Sequence, residues 1–237
     1  MQPASHTSKE FDIELETLRR QVLAMGGIAE QQIRYAVEAL RSGDPRLVTR
    51  VAAEELRMNT LEREVDELAA TVIARRNPTA GDLRMVMAVL KTGTDLERIG
   101  DEAKKIALAS RAMAAGERLI TPGFAEIRHL STLAIDMLRR SLDAFARLDI
   151  ADTPEIVRLD EQVDERFRAI LRQLLTYMIE DPRTISPALE TIFVAKALER
   201  IGDHAKNISE YVIYMIKGKD VRHLPVEAIE QAVREGP

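Results

Sequence analysis

Eight carboxylates in this 237-residue chain fall into four pairs of equal spacing: Glu62 and Asp66, Glu97 and Asp101, Asp160 and Asp164, Glu199 and Asp203. Residues four apart share a helix face, so each pair would present two acids side by side. Two of the pairs lie within one hexapeptide, Leu-Glu-Arg-Ile-Gly-Asp, found at 96–101 and again at 198–203. The other two pairs lie on the helical segment that precedes each copy. Antiparallel helices bring together residues equidistant from their shared turn. The pairs at 160/164 and 199/203 are centred on Asp181-Pro182, and those at 62/66 and 97/101 are centred close to the turn at 77–81. Four acids should therefore stand at nearly one level in each half. Like charges a few Å apart repel by about 4 kcal/mol at an effective dielectric near 20. Either cations intervene, or lysines and arginines do, or some of the acids are protonated.

If cations intervene, the donors are oxygens only, because the chain has no cysteine. Such a set suits hard cations: Mg²⁺, Mn²⁺, Ca²⁺ or iron, with bridging carboxylates suited to clustered ions. The competing reading is a surface salt-bridge network. Acids four apart also arise from composition, and Glu10/Glu14, Asp12/Glu16 and Glu161/Glu165 read as ordinary solvated faces. Composition does not account for four pairs at repeat-equivalent, turn-symmetric positions. A carboxylate-bridged di-metal oxidase or metal-storage protein of the ferritin-like kind is the alternative. It requires Glu-x-x-His on two helices, and this chain has that spacing once, Glu126 to His129. His204 faces Glu102 in the repeat alignment, so it is not a duplicated ligand, and His6 and His223 fall in tails.

Helical periodicity runs through nearly the whole chain and positions these groups. It predicts six long helices over about 11–42, 45–76, 82–115, 123–148, 154–180 and 185–217. Asp44-Pro45 is read as a helix start and Gly218 as a stop. "TDLERIGDEAKKIA" (94–107) aligns with "KALERIGDHAKNIS" (196–209), and "LEREVDEL" (61–68) with "LDEQVDER" (159–166). The fold class expected is all-α, two tandem three-helix bundles. The divisions are an N-terminal tail over 1–10, bundles over 11–118 and 119–219, and a C-terminal tail over 220–237 that has room for a short helix. Gly100 and Gly202 each cost about 1 kcal/mol relative to alanine in mid-helix, which suggests close helix packing. Arg98 and Arg200 point away from the acids, toward solvent-side acids or a partner. The apolar end of the last helix, 211–216, needs a cover: its own tail, a second subunit or a membrane-associated partner.

Composition excludes other classes. A net charge of −5 argues against a general nucleic-acid binder. No apolar run reaches the ~20 residues of a membrane span, and the first ten residues lack the apolar core of a signal peptide. A cytoplasmic location is expected. There is no Walker A, dinucleotide-binding or Gly-x-Ser-x-Gly pattern.

The doubled hexapeptide, with "FDIELETLRRQVLAMGG" (11–27), "DLRMVMAVLKTGTDLERIGDEAKKIA" (82–107) and "AKALERIGDHAKNISEYVIYMIKGKDVRH" (195–223), resembles the PhoU family along nearly the whole chain. The resemblance implies a six-helix tandem bundle and a non-enzymatic regulatory adaptor. Such proteins couple a phosphate ABC transporter, through its ATPase, to a PhoR-type sensor histidine kinase. They restrain phosphate uptake and the phosphate-starvation response. The resemblance further implies metal clusters of iron, manganese, magnesium or zinc on Glu62, Asp66, Glu97, Asp101, Asp160, Asp164, Glu199 and Asp203. A homodimer is expected, with peripheral membrane association through partners.

Overall fold

Leu18, Val22, Met25, Ala29, Ile33 and Ala36 recur at three- and four-residue intervals and are all buried, which makes the first segment an amphipathic helix facing a core. The computed structural model describes residues 9–115 and 123–235. Its long helices are α1 (Lys9–Ser42), α2 (Pro45–Arg76), α3 (Ala80–Ala115), α4 (Phe124–Arg147), α5 (Thr153–Glu180) and α6 (Ile185–Lys217). A single 3₁₀ turn, Pro182–Thr184, links α5 to α6, and a short α7 spans Val226–Arg234. No strand occurs among the described residues.

Local chemistry sets the breaks. Asp44 accepts a hydrogen bond from the Arg46 backbone N–H at 2.9 Å, and Pro45 opens α2 without losing a needed donor. Asn77 ends α2 in the left-handed region at φ 45°, and Gly218 ends α6 at φ 69°. Asp181 accepts from the Arg183 backbone N–H at 3.0 Å, which starts the 3₁₀ turn.

α1 packs on α2 and α3, and α4 on α5 and α6, giving two three-helix bundles. The helices carrying the hexapeptide, α3 and α6, face each other along the seam between the halves. Leu96, Ile99, Ala103 and Ile106 of α3 are buried, as are their equivalents Leu198, Ile201, Ala205 and Ile208 of α6. The acids beside this stripe are thereby held at its edge.

The structure differs from the sequence expectation at the ends. Residues 9 and 10, placed in the N-terminal tail by the sequence reading, belong to α1; residues 1–8 lie outside the described ones. The boundary at 118/119 also lies outside them. The region 220–237 is not merely a tail, since α7 packs against α5 and buries Ile229 and Ala232. The apolar end of α6 finds most of its cover within the chain. Val212 and Ile213 are fully buried, and the Lys91 ammonium lies 5.5 and 5.6 Å from the ring centres of Tyr211 and Tyr214.

The two hexapeptide glycines differ. A Cβ on Gly100 would meet Gln32 Oε1 at 2.8 Å, so this glycine makes room for a buried amide. A Cβ on Gly202 would meet only ordinary contacts at 3.5 Å, from Met137 and Val163. Gly26 is the tightest, 2.5 Å from Leu142 Cδ2. Gly26→Ala is therefore expected to destabilise by about 1–3 kcal/mol through overpacking. Gly202→Ala should be neutral or stabilise by up to about 1 kcal/mol through helix propensity. Urea unfolding followed by circular dichroism checks both.

Candidate metal centre

Burial and the charges of neighbouring acids act together on Glu62, Glu97 and Asp203. In the N-terminal half, α2 presents Glu62 and Asp66 and α3 presents Glu97 and Asp101. Glu62, Glu97 and Asp101 are half-buried and Asp66 is exposed. Burial pushes the Glu62 carboxyl above its ordinary value, and the charges of Glu97, Asp66 and Asp101 push it further. Glu97 is raised in the same way, by burial and then by Asp101.

In the C-terminal half, α5 presents Asp160 and Asp164 and α6 presents Glu199 and Asp203. Burial, followed by the charges of Asp160 and Glu199, pushes Asp203 up to about 6. Asp160 is only 7% exposed, and burial raises it although Lys206 pulls it down. Each quartet thus gathers as the turn symmetry requires, α2 against α3 and α5 against α6.

The two quartets meet their charge differently. Lys206 contacts Asp160, Arg168 lies 3.3 Å from Asp164 and Lys196 lies 2.6 Å from Glu199. Among the described residues, no ion pair reaches Glu62, Asp66, Glu97 or Asp101. No three of the eight acids are drawn around a single point as ligands of one ion among the described residues. The donor set nevertheless fits a hard cation: oxygen donors only, on two facing helices, with the charges of neighbouring acids adding to burial at Glu62, Glu97 and Asp203.

The rest of the seam carries polar groups that periodicity did not reveal. Arg200, from the second hexapeptide, crosses to Glu102 on α3 at 2.9 Å, and Lys105 reaches the same carboxylate at 2.9 Å. Glu102 is 3% exposed, so these two cations supply the partners that a buried carboxylate needs. Arg200 therefore joins the halves rather than facing solvent. His204 Nδ1 lies 2.7 Å from the buried Asp95, to which Asn207 also donates at 3.4 Å. His204 is thus a seam residue. Tyr211 also hydrogen-bonds Asp95, and its hydroxyl is raised chiefly by burial. The only sequence sign of this network was the place where the repeats diverge, Glu102 against His204. Glu126 and His129 stand exposed on α4, and no second Glu-x-x-His accompanies them.

Fold and site together define a duplicated three-helix repeat with an acidic quartet in each copy. Two stretches, residues 22–109 and 127–212, match the PhoU domain. The phosphate-specific transport system accessory protein PhoU homolog of Pseudomonas putida is 44% identical over 97% of this chain and 89% of its own length. The phosphate-specific transport system accessory protein PhoU of Escherichia coli K12 is 42% identical over 95% of this chain and 93% of its own length. The crystal structure of PhoU from Pseudomonas aeruginosa superposes with a TM-score of 0.84 at 43% identity, covering 88% of this chain and all of that one. The PhoU structure from Streptococcus pneumoniae gives 0.81 at 26% identity, covering 89% of this chain and 99% of that one. The chain belongs to the PhoU family.

Glu210, buried on α6, offers a test of the electrostatics outside the quartets. Burial holds its carboxyl at about 7 against an ordinary 4.5. The folded state then keeps a proton that the unfolded chain has lost. The stability this confers is complete below about pH 4.5 and disappears as pH rises through about 7. Glu210→Gln should match the parent near pH 4 and exceed it near pH 8 by about 1–3 kcal/mol. Thermal melts in chelator at the two pH values check this.

Proposed function

We propose that this chain is a non-catalytic regulatory adaptor of phosphate-specific transport, with hard cations held at its carboxylate quartets. The single observation that carries the metal part is the N-terminal quartet: four acids gathered between α2 and α3, of which Glu62 and Glu97 are raised by burial and then by their acidic neighbours, with no ion pair to any of the four among the described residues. Glu62, Asp66, Glu97 and Asp101 would hold one site, and Asp160, Asp164, Glu199 and Asp203 the other. A bound cation supplies the positive charge that joins the facing helices of each hairpin. Oxygen donors favour magnesium, manganese or iron; zinc also fits carboxylates, though less selectively.

The regulatory part is supported by the relatives, which are named accessory proteins of the phosphate-specific transport system over nearly the full length of this chain. On this reading the protein couples the transporter ATPase to a PhoR-type sensor histidine kinase and restrains phosphate uptake. It works in the cytoplasm as a homodimer. No described helix is long and apolar enough to cross a membrane, so contact with the transporter falls to the protein's surface.

Two experiments test the proposal. Protein purified without chelator should carry metal that Asp101→Ala/Asp203→Ala lacks, as read by elemental analysis; equal metal content in the two would refute the metal sites. At native expression, a tagged chain should co-purify with the transporter ATPase or the histidine kinase, and recovery of neither would contradict the adaptor role.

A further inference from the structure

The repeats are alike in their acids and unlike in the cations around them. Asp160 contacts Lys206, Asp164 is paired with Arg168, and Glu199 with Lys196. The Lys196 ammonium is further held 5.4 Å from the Phe167 ring centre. Of the four C-terminal acids only Asp203 has no ion pair among the described residues.

The repeat alignment explains the contrast residue by residue. The positions equivalent to Lys196 and Arg168 are Thr94 and Ala70, neither of them charged. The position equivalent to Lys206 is also a lysine, Lys104, but it is drawn aside to Glu55 at 2.6 Å. Glu55 in turn corresponds to Thr153, which is neutral. Three substitutions between the copies thus supply two cations to the C-terminal quartet and free a third for it. In the N-terminal copy the same positions leave the quartet without an ion pair among the described residues.

We infer that the C-terminal quartet carries its own counter-cations, Lys206, Lys196 and Arg168, so that the two quartets are unequal sites and a hard divalent cation fills the N-terminal one first. This rests on the reading of the quartets as metal sites. A cation entering the C-terminal quartet must displace ammonium and guanidinium groups from three of the four donors. At the N-terminal quartet it meets four carboxylates with no ion pair to break among the described residues, Arg98 and Lys104 acting on them only from a distance. Donor charge sets the affinity of oxygen-ligand sites, so the difference is expressed directly in binding.

The test is titration of chelator-treated protein with Mn²⁺, followed by the loss of the free ion's paramagnetic resonance signal. The parent should bind in two classes, the tighter by at least about tenfold. Asp101→Asn should abolish the tighter class, and Asp203→Asn should spare it. Lys196→Met/Lys206→Met should strengthen the weaker class toward the tighter one. In each single variant the unaltered repeat serves as the folding control, together with the helical circular dichroism signal. Equal losses in Asp101→Asn and Asp203→Asn at one common affinity would overturn the inequality while leaving the metal sites intact. So would survival of the tighter class in Asp101→Asn. Absence of Mn²⁺ binding in every protein would instead remove the metal reading, and this inference with it.

Discussion

Repulsion between carboxylates on facing helices is the constraint around which this chain is organised. Each bundle closes a long hairpin, and each hairpin places four acids at one level. Packing of the buried stripe through Leu96, Ile99 and Ala103, and through Leu198, Ile201 and Ala205, forces them there. Their proximity is a consequence of the hydrophobic core, which is the larger energy. The raised acids Glu62, Glu97 and Asp203 show where the core prevails over the charge. The remaining charge is met in two ways: by ion pairs with basic side chains in the C-terminal half, and only at a distance, by Arg98 and Lys104, in the N-terminal half.

The duplicated hexapeptide joins this electrostatic task to the joining of the halves. Its acids turn to the hairpin groove, its leucine and isoleucine to the core, and in the second copy its arginine to the seam. There Arg200 and Lys105 together offset Glu102, while His204 and Asn207 engage Asp95. A change in one quartet is therefore covalently one helix turn from the contacts that hold the other half. The two repeats are thereby joined through α3 and α6.

Much of this was legible in the sequence. Long periodic segments ended by Asp44-Pro45, Asn77 and Gly218 gave helix limits within a few residues, because caps and breakers act locally. The pairing of the acid quartets followed from turn symmetry. The counter-cations did not follow, because a lysine's partner depends on which acid its flexible stem reaches: Lys104 and Lys206 are repeat equivalents and choose differently. Arg200 escaped for the same reason, since its partner lies in the other repeat. Gly100 and Gly202 looked alike, yet only Gly100 faces a buried amide, that of Gln32 on α1. The short α7 was open to either reading, having few residues and depending on α5 for its burial.

The most direct measurement is a carbon-detected NMR titration of the side-chain carboxyls in chelator-treated protein. If burial and the charges of facing acids act as described, Glu62, Glu97 and Asp203 titrate above the ordinary range of their types, Asp203 near 6. Added Mg²⁺ should then hold the Glu62 and Glu97 carboxyls ionised to lower pH. Ordinary values for all three, unmoved by Mg²⁺, would contradict the account.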